Sequence, residues 1–298
     1  MNNKAVAGAL LSLEGLSLGD AFGEMFFRPQ ATAWLRQREL PPGIWRWTDD
    51  THMALSIVEN LAQHGRIEPD ALAQAFARLF HEEPYRGYAG GAVRLLRAVG
   101  RGQAWREVAP TIFPGGSYGN GGAMRAAPIG GFFTGDPEKA TAEARRSAMI
   151  THAHQEGQAG AMAVAAAAAI AADSDCPTGN AFLSAVLPYV PASEVREGIE
   201  RAQEIAAADF VAAVSILGTG TAVSAQDTVP YCLWQVAHHL DDFEEALWQT
   251  AAGFGDVDTT CAIVGGIVAL SAPKMPVEWL TRRESLPEDI LFLKRQIG

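Results

Sequence analysis

Apolar positions recur at three- and four-residue intervals along most of the chain, and no convincing run alternates with a period of two. Val6, Leu10, Leu13 and Leu16 share one face of a helix predicted over 5–18, and Gly15, Gly19 and Gly23 follow at intervals of four. Small residues so spaced let a second backbone approach closely, which makes tight helix packing the plain expectation. Asp20 and Glu24, acids among apolar neighbours, leave a second reading open in which this segment belongs to a polar site. A helix over 52–61 extends to His64 and stops at Gly65, and Pro69-Asp70 opens another with Leu72, Ala75, Phe76 and Leu79 on one face. Further helices are predicted over 126–132, 136–152, 157–173, 178–189, 192–208, 209–217, 228–239, 241–253 and 258–272, punctuated by Pro188, Pro191, Gly218, Gly220, Pro230 and Gly253. The last is apolar all round and belongs at the centre of the fold. The expectation is an all-α protein forming a single domain over residues 1–298.

Composition narrows this without redirecting it. A chain of 298 residues is near the upper limit for one hydrophobic core, and no linker marks a place to divide it. Hydrophobic residues at 48% and charged residues at 19% describe an ordinary soluble globular protein. A net charge of -11 lacks the basic stripe of a nucleic-acid binder, yet it allows a small phosphate-bearing ligand whose charge is met by bound metal. Cys176, Cys232 and Cys261 are far apart, odd in number and without a C-x-x-C pair, so reduced thiols in a cytoplasmic protein are expected. Lys4 and the apolar run 5–13 lead at once to Glu14 and Asp20, which reads as a first helix rather than a signal peptide. Neither 159–172 nor 261–272 reaches the roughly 20 residues of a membrane span, and no membrane partner is expected.

The candidate chemistry gathers at two acidic clusters. Thr48-Asp49-Asp50-Thr51 follows the tryptophan-rich Trp45-Arg46-Trp47, and the repulsion between its carboxylates needs an offset. One offset is a helix start, with Thr48 as N-cap and the acids at the positive end of the helix dipole. The other is suggested by a near echo downstream, Gly255-Asp256-Val257-Asp258-Thr259-Thr260, which again opens an apolar helical run. Only oxygen ligands are on offer, which suits a hard cation such as Mg²⁺, Mn²⁺ or Ca²⁺, and four carboxylates suffice for a pair of ions. Between these clusters, residues 113–125 pack five glycines into eight positions just ahead of a predicted helix. Uncovered amides at such a place attract anions, although no Gly-Lys-Ser/Thr follows and no strand precedes, so neither a P-loop nor a dinucleotide fingerprint applies. The loop 85–91, with Tyr85, Arg86 and Tyr88, either lines a pocket or packs at the surface. Thr151-His152-Ala153-His154 has no third nitrogen or sulfur ligand at a helical spacing, which argues against zinc. That leaves His152 as a hydrogen-bonding group facing a ligand or as a satisfied structural histidine.

Taken together, Gly19-Asp20-Ala21-Phe22-Gly23, Thr48-Asp49-Asp50-Thr51, the run from Gly116 to Arg125 and Gly255-Asp256-Val257-Asp258-Thr259 resemble the ADP-ribosylglycohydrolase family in order and spacing. That family includes the dinitrogenase reductase-activating glycohydrolase and the eukaryotic ADP-ribosyl-acceptor hydrolases. The resemblance implies a compact all-α fold and a cleft with two Mg²⁺ ions, for which Mn²⁺ can substitute. It implies Thr48, Asp49, Asp50, Asp256, Asp258 and Thr259 as metal ligands. Gly116, Ser117, Tyr118, Gly119, Asn120 and Gly121 would wrap the diphosphate and proximal ribose, with His152 reaching a phosphate or ribose oxygen. Many members carry a glutamate seven residues after the Gly-Asp aspartate, where this chain has Phe27, so the acid of that segment is Glu24 or is absent. The implied catalytic pair is Glu24 with Asp258, acting on an ADP-ribosylated protein or a small ADP-ribosyl conjugate. Hydrolysis of free derivatives such as O-acetyl-ADP-ribose, or ADP-ribose binding without turnover, are the alternatives.

Overall fold

In the computed structural model, which describes residues 2–272 and 274–297, the periodic segments fold as helices joined by short loops. In chain order these are α1 (Asn3–Glu24), α2 (Ala31–Gln37), α3 (Asp49–His64), α4 (Pro69–Glu82), α5 (Gly90–Gly100), α6 (Trp105–Val108), α7 (Ala127–Phe132), α8 (Pro137–Ala148) and α9 (Gln155–Ala171). They continue with α10 (Asn180–Val186), α11 (Glu194–Ala202), α12 (Phe210–Leu217), α13 (Ala225–His239), α14 (Phe243–Ala251), α15 (Val257–Val268), α16 (Val277–Arg282) and α17 (Glu288–Ile297). β-pairing among the described residues is confined to two isolated bridges, Trp45 with Arg283 and Gly119 with Ser224. The all-α expectation holds.

Helix ends follow local chemistry. α3 stops where Gly65 turns left-handed (φ +68°) and donates to the Leu61 carbonyl. α4 starts on Pro69 as expected, but its buried stripe is Leu72, Ala73, Phe76, Ala77 and Phe80, so Ala75 and Leu79 stand at the edge of the face rather than on it. α8 ends at Ala148, which leaves His152 on a turn beyond the helix instead of inside it. α13 begins three residues ahead of the predicted start and carries Pro230 inside the helix, so that proline marks no boundary.

The core is built on α1 and α15, which run antiparallel and touch backbone to backbone. A Cβ placed at Gly15 would lie 2.3 Å from the Gly265 carbonyl oxygen, one at Gly19 2.0 Å from that of Cys261, and one at Gly23 2.4 Å from that of Val257. The glycine repeat of α1 is therefore a contact stripe, and Ser12 adds a hydrogen bond from its Oγ to the Gly266 carbonyl (2.7 Å). Phe22 stacks on Trp279 and meets Trp248 edge-on, which fills the space beside this contact with aromatic rings. α9, with Ala159, Ala161 and the run 163–169 buried, passes through the interior on small side chains. With the following turn, α1 is long and apolar enough to cross a membrane, but 78% of that window is buried inside the fold. Its hydropathy is that of a central core helix. Because α1 and α15 are antiparallel, the last turn of one and the first turn of the other lie at the same end of the molecule.

Candidate active site

At that end, Asp20 draws in the start of α3. Its carboxylate accepts the Thr48 amide (2.9 Å), the Thr48 hydroxyl (2.9 Å), the Thr51 amide (3.0 Å) and the Thr51 hydroxyl. Two of the amides that a helix start leaves unpaired are thus satisfied by a side chain from another helix. Thr48 itself is the extended N-cap (φ -110°, ψ -160°), with its Oγ1 accepting from the Asp50 amide at 3.4 Å. The capping reading and the polar-site reading of the sequence are both met, because the same residues do both.

α15 supplies the second wall. Gly255, at φ +77°, packs against Thr219, a position where a side chain would meet the Thr219 carbonyl oxygen at 2.2 Å. Asp256 follows at the N-cap position, and its Oδ2 accepts from Asn120 Nδ2 at 2.7 Å. Asn120 Nδ2 also reaches Thr228 Oγ1 (3.1 Å), so the glycine segment is tied directly to the acid cluster.

Carboxylate oxygens of Asp20, Asp50 and Asp258 lie within 4.8 Å of one another, and Asp49 and Asp256 line the same cleft. None of these five forms an ion pair with a cation among the described residues. Burial pushes the Asp50 and Asp258 carboxyls well above the usual carboxylate range, with Asp20 next for Asp50 and Asp256 next for Asp258. Burial followed by the Asp20 charge raises Asp49 as well. Asp20 is raised by burial and held back by the hydrogen bonds from Thr51 and Thr48. Asp50 Oδ1 is closed off from solvent without a hydrogen-bond partner. An orphaned buried carboxylate oxygen among converging acids is costly unless a cation sits there, and an all-oxygen donor set fits Mg²⁺ or Mn²⁺.

Facing the acids is the glycine segment. Gly115 and Gly116 take left-handed conformations (φ +79° and +88°), and a Cβ at Gly116 would strike the His154 backbone nitrogen at 2.6 Å. The segment is fastened at both sides, by His154 N donating to the Ser117 carbonyl (3.3 Å) and Ala225 N donating to that of Tyr118 (3.0 Å). Asn120–Gly122 form a single 3₁₀ turn, and α7 begins at Ala127, one residue from the predicted start, so the glycine segment leads into that helix as expected. The Tyr118 amide has no acceptor among the described residues, whereas the Gly119–Ser224 bridge engages that of Asn120. Ser117 to Gly121, His152 and the acids enclose a cleft of about 360 Å³. Tyr118 and Phe113, half-exposed, stand at its rim. Thr259 lines the cleft with Asp258, whose Oδ1 accepts its amide (2.9 Å).

Three sequence candidates stand outside this lining, the first of them Gly116, which packs against Ala153 and His154. Thr48 is engaged with Asp20 and Asp50, and Glu24 is half-buried at the end of α1, its carboxyl raised by burial and then by Asp20. Asp20 received no assigned role from the sequence, and its signal was an acid on the apolar stripe of a glycine-rich helix. The 85–91 segment splits: Gly87, Ala89 and Gly91 line the cleft, while its aromatics and Arg86 do not. Tyr85 is fully exposed, the Tyr88 hydroxyl bonds His52 Nδ1 (2.9 Å), and Arg86 lies 3.5 Å over the Trp47 ring with Glu284 as ion partner.

Residues 3–296, almost the whole chain, match the family described as ADP-ribosylglycohydrolase. The chain belongs to the ADP-ribosylglycohydrolase family. It is similar to an uncharacterised protein of Archaeoglobus fulgidus, at 30% identity over 93% of this chain and 87% of that one. It is also similar to the ADP-ribosylhydrolase ARH3 of Bos taurus (29% identity; 94% of this chain, 89% of that one) and of Homo sapiens (28%; 82% and 77%). A solved structure described as an ADP-ribosylglycohydrolase-related protein complex superposes with a TM-score of 0.70 over 99% of this chain and 98% of that one, at 24% identity, and so shares the fold. As a member of this family the protein is a hydrolase of the ADP-ribosylglycohydrolase type, and the acid-lined cleft is its candidate active site.

Proposed function

We propose that the protein hydrolyses the glycosidic bond between ADP-ribose and a modified protein side chain, or a related small ADP-ribosyl conjugate, in a Mg²⁺-dependent reaction in the cytoplasm. The observation that carries this reading is the pairing of walls across one cleft: converging carboxylates without a cationic partner on one side and the glycine segment with its backbone amides on the other. Asp49, Asp50, Asp256 and Asp258, with Thr48 and Thr259, would hold two divalent ions, and Asp20 braces the Thr48 turn behind them. When bound, such ions supply Lewis-acid polarisation and orient a hydroxyl-rich substrate.

The remaining work falls to this chain's own groups. The Ser117–Gly121 amides suit a diphosphate, because backbone donors meet an anion without the cost of desolvating a flexible cation. The Tyr118 and Phe113 rings at the rim offer flat apolar faces for a nucleobase. Glu24, held toward its protonated form by burial, is the proton source for the leaving group, a service worth roughly 10²- to 10⁴-fold in rate. Cys176, Cys232 and Cys261 are free thiols, in keeping with a reducing compartment.

Release of ADP-ribose from serine-linked and arginine-linked peptides and from O-acetyl-ADP-ribose, measured with Mg²⁺ and with a chelator, tests this reading. Mg²⁺-dependent release from at least one donor that disappears in Asp258→Ala supports it. No release from any of them, or release indifferent to the chelator, overturns it.

A further inference from the structure

Lining the cleft, yet almost wholly buried, is an arginine that carries none of the chemistry above. Arg125 is 1% exposed, and it makes no ion pair among the described residues. Its Nη1 donates to the Gly121 carbonyl (3.1 Å) and Met53 Sδ (3.4 Å), and its Nη2 to the Ser147 carbonyl (3.1 Å) and Thr151 Oγ1 (2.8 Å). The Phe76 ring lies beneath it, 4.7 Å away. Burial lowers its pKa only to about 9, so it is a cation at neutral pH.

A guanidinium can only donate, so Thr151 Oγ1 accepts from Arg125 and has one proton left to give. Two acceptors are within reach: His152 Nδ1 at 2.7 Å and the Ala148 carbonyl at 3.4 Å. The shorter contact takes the proton. The opposite arrangement, with a proton on Nδ1, would point a positive N–H at an oxygen already facing the guanidinium and leave the hydroxyl proton with the long contact. Electrostatics and distance therefore agree that Nδ1 presents its lone pair to Thr151. Buried beside a cation, His152 has its pKa pushed down to about 3, so the ring is neutral and its single proton sits on Nε2. Nε2 faces the glycine wall, 3.3 Å from where a Gly119 Cβ would stand, and has no protein partner among the described residues.

We propose that Arg125 and Thr151 are positioning residues that fix His152 as the Nε2–H tautomer, making it a one-way hydrogen-bond donor into the cleft. Such a group selects ligand oxygens that accept, a phosphoryl oxygen above all, and cannot serve a ligand that must donate at that point. The identity of the ligand rests on the function proposed above, whereas the tautomer does not.

Long-range ¹H–¹⁵N correlation spectra of ¹⁵N-histidine-labelled protein read the tautomer directly, and calorimetry with ADP-ribose reads its effect. In the wild type, His152 should show a pyridine-type Nδ1 and a pyrrole-type Nε2. Thr151→Val keeps the side chain's shape but removes the relay, and should give mixed tautomers and about tenfold weaker ADP-ribose binding, the loss of one hydrogen bond. Thr151→Ser should restore both. A pyrrole-type Nδ1 in the wild type, or an unchanged tautomer in Thr151→Val, overturns the proposal, and the wild-type spectrum decides even if that variant does not fold. The predicted tautomer together with no ADP-ribose binding by the wild type would instead defeat the proposed function and leave the relay standing.

Discussion

Gly19→Ala probes the contact on which the site's geometry depends. The new Cβ would lie 2.0 Å from the Cys261 carbonyl oxygen and 2.6 Å from its carbon, where ordinary contact begins at 3.4 Å. Both offending atoms are backbone, so no side chain can swing aside, and α1 and α15 must part by roughly 1 Å. Overpacking of this kind costs about 1–3 kcal/mol, and the alanine's smaller unfolded-state entropy returns about 0.4–1 kcal/mol. The expected net loss is about 1–2 kcal/mol, a fall in melting temperature of about 2–3 °C for a chain of this length. Activity should suffer more than stability. Asp20 is the next residue on α1 and Asp258 opens α15, so a parting of the helices spreads the carboxylates, and a 1 Å misplacement can cost about 10²-fold in rate. The comparison is Gly100→Ala, at the exposed end of α5, where nothing lies within 4 Å and which should leave stability and hydrolysis near wild type. Thermal melts, Mg²⁺ titration and hydrolysis assays on the two variants decide the matter. Wild-type melting and full hydrolysis in Gly19→Ala would refute the claim that glycine contact positions the acids.

Other expectations concern the site itself. Folded-state pKa values raised by burial at Asp49, Asp50 and Asp258 mean that the metal-free protein loses stability as pH rises from the unfolded carboxylate value of about 3.9 through the folded ones. Mg²⁺ competes with protons for the same oxygens, so the rise in melting temperature on adding it should be large at pH 8 and small at pH 5, and an equal rise at both would count against the metal assignment. Gly119→Val crowds His152 Nε2 and Ser117 Oγ, already 3.3 and 3.4 Å from a Cβ, so it should weaken ADP-ribose binding more than Ser117→Ala does; calorimetry with equal losses in the two would place the cradle elsewhere. Glu24→Gln preserves shape without the titrating proton and should retain ADP-ribose binding while turnover falls by about a hundredfold; turnover within a few-fold of wild type would remove Glu24 as the acid.

Much of this architecture is local and therefore readable in sequence. Helical periodicity, the Gly15-Gly19-Gly23 stripe, the Gly65 stop and the acid-hydroxyl openings of α3 and α15 depend on neighbours within one or two turns. The two acidic clusters and the glycine segment were legible for the same reason, since each is a short run with its own chemistry. What the residues could not disclose is how separate elements face one another. Asp20 and Glu24 are four residues apart on one helix face, so periodicity treats them alike, yet Asp20 is wholly buried under Thr48 and Thr51 while Glu24 lies half-buried where α1 ends. Arg86 looked available and is held by Glu284, nearly two hundred positions away in the chain. The proton order of His152 depends on Arg125, delivered from the far end of the glycine segment. Local propensity acts over a few residues, whereas burial, the pairing of charges and the direction of a hydrogen bond are decided by whatever packing places across the gap, and only the folded chain supplies that neighbour.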